Sequence, residues 1–121
     1  MYLLLSLFLG LTSMQELPAE NEKYSILYFF NPDCPSCQEI APFIDYLKDE
    51  YEAVIYSYNT RNPVGYRYGM QNNIRYVPTL IIQIERGDEK EEKRYEGISE
   101  IREAESKIAA LSGEDSPIQE E

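Results

Sequence analysis

The chain has 121 residues, of which 43% are hydrophobic, and this is enough for one domain with a modest core but not for two. Acidic residues outnumber basic residues by 22 to 11, with no basic run that could neutralise phosphates, so nucleic acid is not expected as a partner. The acidic surface is expected to serve solubility and to disfavour acidic clients. The two cysteines and the absence of histidine exclude a framework of several disulfides and a four-ligand zinc site from one chain.

The first predicted segment is an apolar run at residues 2–11. It is typical of the hydrophobic region of a signal peptide or of a short membrane anchor, although no Lys or Arg precedes it. The alternative is a helix packed on the domain, but such a helix should have a polar face, and this run is apolar nearly all round. We therefore predict a signal or anchor segment at 1–14, a linker at 15–22, and an exported or membrane-anchored, extracytoplasmic protein. A cytoplasmic location is the alternative.

The central feature is the stretch 24–51, which predicts a strand, a turn and a helix. Residues 24–30 are continuously apolar and aromatic, as in a parallel strand that is covered on both faces. Beyond the turn, apolar residues recur at helical spacing and predict one core-facing stripe. The stripe consists of Ile40, Phe43, Ile44, Leu47 and Tyr51. Pro42 lies inside this helix, where it removes one backbone hydrogen bond.

Both cysteines, Cys34 and Cys37, lie where this helix is predicted to begin. A thiol at a helix N-terminus faces unpaired N–H groups and the positive end of the helix dipole, which stabilise its thiolate. The thiolate is the nucleophile of disulfide exchange. Cys37 is about one helical turn away and can attack a mixed disulfide formed on Cys34. We therefore predict Cys34 as the attacking and Cys37 as the resolving cysteine. A structural disulfide is the alternative, but its loop is so small that it would constrain the unfolded chain little.

Three further elements follow in the second half of the chain. Residues 53–58 predict a second strand, which completes a βαβ unit with the first strand and helix. Asn62 and Pro63 predict the cap and the first position of another helix. Residues 79–85 predict a third strand, which a turn connects to a charged strand ending near Tyr95. The mixed charges of that last strand are typical of a sheet edge.

The chain is predicted to end in a helix and a polar tail. Gly97 is expected to end the hairpin, Ser99 to cap the helix and Gly113 to stop it. The buried stripe of this helix is predicted to contain Ile101, Ala104, Ile108 and Leu111. The folded domain is therefore expected at 23–112, followed by a flexible acidic tail at 113–121.

The predicted order βαβ, helix, ββ, helix, together with the Cys34-x-x-Cys37 motif and Val77-Pro78-Thr79, resembles the thioredoxin family. The similarity runs from about residue 25 to residue 111. It implies an α/β fold, a thioredoxin-like three-layer sandwich around a central mixed β-sheet. It also implies a thiol–disulfide oxidoreductase that acts on protein cysteines.

The resemblance further implies where a client would bind. In thioredoxin-like proteins, the proline that matches Pro78 is cis and lies against the cysteine pair. The backbone of Val77 would then face solvent, so that a client peptide could pair with it as an added strand beside Cys34. By the same resemblance, the rim of this surface would consist of Tyr76, Gly97 and Ile98.

The chain departs from the family pattern at several positions. Thioredoxins carry Trp before the first cysteine and a buried acid six residues before it, whereas this chain has Asp33 and Tyr28 at those positions. The dipeptide between the cysteines is Pro35-Ser36 instead of Gly-Pro. The acid is thought to help move the proton of the resolving cysteine, so its absence predicts a slow or water-assisted resolution.

The leading hypothesis is an enzyme that exchanges disulfides with protein clients and is recharged by a redox partner. No cofactor and no metal is implied, since the chemistry needs only the two sulfurs, and we expect a monomer. The alternative is a redox-sensing or client-binding module that turns over slowly. It stays open because Tyr28 replaces the acid that thioredoxins carry at this position. An accessory subunit of a membrane complex, recruited through residues 1–14, is a further alternative.

Overall fold

The computed structural model describes residues 22–113. Its elements, in chain order, are β1 (Glu22–Phe30), α1 (Pro35–Tyr51), β2 (Ile55–Asn59), α2 (Pro63–Gln71), β3 (Thr79–Arg86), β4 (Glu89–Glu96) and α3 (Gly97–Ser112). The predicted order of strands and helices is confirmed. The predicted signal or anchor segment, nearly all of the linker and the tail from residue 114 onward lie outside the described residues.

The four strands form one mixed sheet in the order β2-β1-β3-β4. β1 runs parallel to β2 and antiparallel to β3, and β3 runs antiparallel to β4. Tyr28 on β1 lies opposite Ser57 on β2 and Leu80 on β3. The central position of β1 places the turn that follows it, and therefore Cys34, at the middle of one end of the sheet.

One face of the sheet packs against α1 and α3. Because side chains alternate between the two faces of a strand, every second residue of β1 and β3 points to this side. Its fully buried members include Ile26, Ile40, Leu47, Leu80, Ile82, Ile101 and Ile108. Burying each such side chain contributes about 1.5–3 kcal/mol. This face is therefore the main core of the domain, and the predicted stripes of both long helices are confirmed, with Phe43, Tyr51 and Leu111 partly buried at its margin.

The other face is covered by α2 and is largely aromatic. Phe29 of β1 stacks on Tyr58 of β2 with 5.1 Å between ring centroids, and Tyr58 contacts Tyr68 of α2 at 4.9 Å. Helix α2 approaches β2 closely at Gly65, where an added Cβ would lie 1.9 Å from the backbone oxygen of Asn59. The sheet therefore separates a layer of two long helices from a layer of one short helix, and the predicted mixed-sheet α/β fold is confirmed.

The predicted start of the last helix is wrong. Helix α3 begins at Gly97, whose φ is +90°, and Glu96 rather than Ser99 occupies the N-cap position. The side chain of Glu100 reaches back and accepts a hydrogen bond of 2.8 Å from the backbone N–H of Glu96. Because the helix already begins at Gly97, Ser99 lies within its first turn and is not its cap. Gly97 therefore starts the helix instead of ending the hairpin.

The other predicted helix ends differ less from the structure. Asn62 occupies the N-cap position of α2 and Pro63 its first position, but the Asn62 side chain makes no capping hydrogen bond. Gly113 follows α3 with a φ of +82°, in the left-handed conformation that glycine tolerates.

Among residues 22–113, no helix has the length and hydrophobicity that crossing a membrane requires.

Candidate active site

The turn between β1 and α1 fixes the position of Cys34. The backbone N–H of Cys34 donates to the backbone oxygen of Asn31 at 3.0 Å, and that of Asp33 donates to the Asn31 side-chain oxygen at 2.8 Å. Pro35, whose φ suits a first helical position, starts α1 and leaves Cys34 as the N-cap residue. The predicted position of this cysteine at a helix N-terminus is confirmed.

The Cys34 sulfur acts as the cap of α1. The backbone N–H of Cys37 donates to Cys34 Sγ at 3.2 Å, and Cys34 Sγ lies 3.8 Å from the backbone oxygen of Val77. Cys34 is half-buried and carries a free thiol. A helix N–H aimed at the sulfur stabilises the negative charge of a thiolate, so the local structure suits Cys34 for nucleophilic attack.

Cys37 has a different environment. It is buried, with 3% of its surface exposed, and the backbone N–H of Asn31 donates to its sulfur at 3.5 Å. Burial, and secondly the hydrogen bond with Cys34, raises the pKa of the Cys37 thiol to about 12. Cys37 therefore keeps its proton at neutral pH while Cys34 is unreacted.

Tyr28 lies behind Cys37 in the core. Its hydroxyl is buried and has no hydrogen-bond partner among the described residues. Burial, and then the neighbouring Cys37 and Cys34, raises the pKa of the Tyr28 phenol above its usual range. Tyr28 and Cys37 both line a cavity of about 240 Å³. At the position where thioredoxins carry a buried acid, this chain thus places a neutral phenol near Cys37.

The loop before β3 forms the other side of the site. The Val77–Pro78 peptide bond is cis, and the Pro78 carbonyl accepts a hydrogen bond of 2.9 Å from the N–H of Gly97. The Thr79 hydroxyl donates to the backbone oxygen of Tyr76 at 2.7 Å. These two bonds hold the loop between β3 and α3, so that the carbonyl of Val77 lies next to the Cys34 sulfur.

The predicted rim residues lie around this loop. Tyr76 is largely exposed, whereas Ile98 is half-buried and packs against the core. Pro35 and Ser36 are exposed on the first turn of α1. The structure therefore brings the predicted dipeptide, the loop and Gly97 to the same end of the sheet as the cysteines.

Sequence reasoning missed Arg61. Its guanidinium forms an ion pair with the Asp33 carboxylate, immediately before Cys34. The two residues belong to turns that follow neighbouring parallel strands, and parallel pairing brings such turns together. The register of β1 and β2 was the one signal that could have indicated this pair.

A groove beside the Val77 loop was also missed. It has a volume of about 340 Å³ and is lined by Thr60, Tyr66, Gly69, Met70, Ile74, Arg75, Tyr76 and Val77. Within residues 22–113, no cluster of three or more His, Cys, Asp or Glu side chains is arranged to hold a metal ion. The site as described offers two thiols, the Val77 carbonyl that accepts from the Cys34 thiol, and an adjacent groove.

Comparison with known proteins gives a consistent family match. The thioredoxin family model matches residues 12–110. A chloroplastic M-type thioredoxin of Spinacia oleracea is 35% identical over 82 residues, which are 66% of this chain and 44% of that protein. The chain therefore spans less than half the length of this curated relative.

Solved structures are similar in fold. Plasmodium falciparum thioredoxin matches with a TM-score of 0.61 and 17% identity, over 80% of each chain. Thioredoxin O2 of Arabidopsis thaliana in the oxidised state matches with a TM-score of 0.55 and 24% identity, over 73% of each chain. Trichomonas vaginalis thioredoxin matches with a TM-score of 0.60 and 13% identity, over 83% of this chain and 89% of that one.

Proposed function

The chain belongs to the thioredoxin family, and from this we propose that it is a thiol–disulfide oxidoreductase acting on protein cysteines through Cys34 and Cys37. The observation that supports this most directly is the pairing of two unlike thiols one helical turn apart. Cys34 is half-exposed and accepts a helix N–H, whereas Cys37 is buried and protonated. One sulfur is suited to attack a client and the other to release it.

In the first step, the Cys34 thiolate attacks one sulfur of a client disulfide. The S–S bond of the client breaks, a mixed disulfide forms between Cys34 and the client, and the other client sulfur leaves as a thiolate that takes up a proton. The N–H of Cys37 stabilises the Cys34 thiolate before the attack. The carbonyl of Val77, 3.8 Å from the sulfur, is positioned to accept a backbone N–H from the client strand.

In the second step, Cys37 loses its proton and attacks the Cys34 sulfur. The mixed disulfide breaks, the Cys34–Cys37 disulfide forms, and the second client sulfur leaves. Two electrons have then passed from the protein dithiol to the client. An external thiol donor restores the dithiol, and the same steps in reverse would oxidise a client.

Turnover of insulin disulfides tests this function. The full chain with a dithiol donor should reduce insulin well above the rate of the donor alone, and Cys34→Ser should return the rate to that background. Cys37→Ser should form a stable mixed disulfide with one client and stop there. A wild-type rate equal to the donor background would contradict the proposed enzyme.

The second candidate is a redox-sensing or client-binding module, which the buried, protonated state of Cys37 and the neutral Tyr28 favour. Such a module would form the mixed disulfide but release it slowly. Its signature would be a long-lived mixed disulfide in the wild-type chain, close in lifetime to that of Cys37→Ser. Measuring both lifetimes by alkylation and intact mass separates the two candidates.

A further inference from the structure

The charge of this protein is unevenly distributed. The chain as a whole has 22 acidic and 11 basic residues, yet residues 60–79 contain three arginines and no aspartate or glutamate. This stretch includes α2 and the loop that carries Val77 and Pro78. The acidic character expected to disfavour acidic clients is therefore absent from one side of the candidate active site.

The side chains of this stretch form an exposed surface, which we call the arginine face. It consists of the exposed residues Arg61, Tyr66, Arg67, Met70, Arg75 and Tyr76. Its apolar members are each more than half exposed. Large exposed apolar side chains grouped with cations are typical of a binding surface rather than of a merely soluble one.

The arginine face is continuous with the attacking thiol. Arg75 and Tyr76 line the groove of about 340 Å³ together with Val77, and the carbonyl of Val77 lies 3.8 Å from Cys34 Sγ. On the other side of the sulfur, Arg61 pairs with Asp33 and neutralises the carboxylate nearest to Cys34 in the sequence. A peptide bound at Cys34 would therefore extend over Arg67 and Arg75 on the α2 side, whose charges form no ion pair within residues 22–113.

The opposite rim has the reverse charge. Glu96 and Glu100 flank Gly97, and the Glu100 carboxylate is engaged with the backbone N–H of Glu96. The candidate active site is thus positive on the α2 side and negative on the α3 side. This asymmetry would select the charge of the client segment that lies over α2.

We propose that the arginine face binds acidic segments of protein clients, so that the preferred client carries Asp or Glu together with an apolar residue close to the attacked cysteine. This inference rests on the proposed function and adds the substrate class to it. At about 0.1 M salt, where charges interact over about 10 Å, the local arginines outweigh the distant acidic residues. The resulting steering should raise the rate of attack on acidic clients about tenfold over basic ones.

The test is single-turnover reduction of three peptide disulfides by the fully reduced chain. Each is a homodimer of one peptide with a central cysteine and an adjacent leucine, and the three differ only in having Asp, Asn or Lys at two flanking positions. Released peptide thiols are quantified by mass at about 0.1 M and about 1 M salt. We expect the Asp peptide to react about tenfold faster than the Lys peptide at the lower salt and the ratio to approach one at the higher.

Matched charge reversals locate the effect. Arg67→Glu and Arg75→Glu should each lower the Asp-to-Lys rate ratio several-fold at the lower salt. Lys90→Glu makes the same change of charge at an exposed position, at the end of the β3–β4 hairpin away from Pro78. It should leave the ratio unchanged. None of these three residues contacts the reacting sulfurs.

Several outcomes would overturn the inference. Equal rates for the Asp and Lys peptides would do so, as would an equal effect of Lys90→Glu and Arg75→Glu. Inhibition of the Asn-peptide reaction by a single-stranded oligonucleotide in the wild type but not in Arg75→Glu would assign the face to nucleic acid instead. Failure to reduce even the Asn peptide would contradict the proposed oxidoreductase itself. Reduction of the Asn peptide without a preference for the Asp peptide would contradict only the acidic client preference.

Discussion

The sheet face beneath α1 and α3 holds a large core, rich in isoleucine and leucine, against two long helices. The face beneath α2 holds a smaller cluster that includes Phe29, Tyr58 and Tyr68, against a helix of 9 residues. On the first face, the two long helices also contact each other, and Glu105 Oε2 of α3 accepts hydrogen bonds from Tyr46 and Tyr51 of α1 at 2.6 and 2.5 Å. On the second face, α2 leaves Tyr66, Met70 and other large apolar side chains exposed.

This difference agrees with the proposed function, in which the α1/α3 face stabilises the domain and the α2 face contacts clients. The two sulfurs follow the same division, since Cys37 is buried on the α1 side with Tyr28, whereas Cys34 faces the Val77 loop and the arginine face. The proposed binding of clients beside Cys34 would benefit from a rigid layer on one side and an open surface on the other.

Truncation of the α1/α3 face should have the largest effect on stability. Ile108→Ala removes a fully buried side chain of α3 and should lower the free energy of unfolding by about 3 kcal/mol, because it leaves a cavity in the main core. Urea unfolding measures this loss. Val64→Ala, at an exposed position on α2, serves as the control.

 The side chain of Val64 is 52% exposed. As an exposed residue it should change the free energy of unfolding by less than about 0.5 kcal/mol. Equal losses for the two variants would contradict the division between the faces.

The close approach of α2 to β2 gives the next largest effect. In Gly65→Ala, the added Cβ would lie 1.9 Å from the backbone oxygen of Asn59, so α2 must move away from the sheet. We expect a loss of about 2 kcal/mol in the free energy of unfolding. Chemical denaturation measures the loss, and the rate with the Asp peptide shows whether the arginine face has moved.

Gly69→Ala is the matched control in the same helix. Its Cβ would meet the nearest atoms, Thr60 Cγ2 and Ile74 Cβ, at 3.8 and 3.9 Å, which is ordinary contact. Because alanine favours a helix over glycine by up to about 1 kcal/mol, this variant should be as stable as the wild type or more so. A loss for Gly69→Ala as large as that for Gly65→Ala would show that close approach at Gly65 is not the cause.

The different surroundings of the two sulfurs predict a pH dependence. Burial is the main cause that raises the pKa of the Cys37 thiol to about 12, and unlike the hydrogen bond with Cys34, it does not require a free thiol on Cys34. Below that pKa, the thiolate fraction of Cys37 grows about tenfold per pH unit. Release of a coloured aromatic thiol from its mixed disulfide with Cys34 should therefore accelerate about tenfold per unit between about pH 7 and pH 9.

The mixed disulfide of Cys37→Ser is the control for this experiment, because it lacks the attacking thiol and should release nothing over the same range. Stopped-flow absorbance follows both reactions. A release rate in the wild-type chain that does not change with pH would show that Cys37 is already ionised in the mixed disulfide.

Arg94 links the edge strand to the end of α2 and predicts a smaller effect. Its guanidinium donates to the backbone oxygens of Asn72 and Asn73, where the helix dipole is negative. Arg94→Met keeps most of the side-chain length and should cost about 1 kcal/mol. Hydrogen exchange should show the loss of protection mainly in α2. Lys93→Met, on the adjacent residue that faces the other side of β4, should leave the protection of α2 unchanged.

The smallest expected effect has the opposite sign. Tyr28→Phe removes a buried hydroxyl that has no partner among the described residues, and it should leave the protein equally stable or stabilise it by up to about 1 kcal/mol. Tyr51→Phe removes a hydroxyl that donates to Glu105 at 2.5 Å and should be destabilising. A clear loss of stability for Tyr28→Phe in thermal unfolding would show that its hydroxyl is satisfied in solution.

Features that depend on residues close to one another in the sequence could be predicted from it. The apolar strand before the turn, the stripe that contains Ile40 and Leu47, and the position of Cys34 at the start of α1 were predicted and are confirmed. The start of α3 was not, because Ser99 is a suitable cap residue by type but the helix begins two residues before it, at Gly97, whose φ is +90°.

The sequence by itself determined the order of elements and the presence of two thiols one turn apart at a helix N-terminus. The side chains of a helix or strand return to the same face every few residues, so the pattern of apolar residues in the sequence shows which element forms. Only the tertiary structure decided which groups surround those thiols. Val77, Arg61 and Tyr28 reach the cysteines through strand register and packing across the sheet, and burial, which has no local pattern, separates the chemistry of Cys37 from that of Cys34.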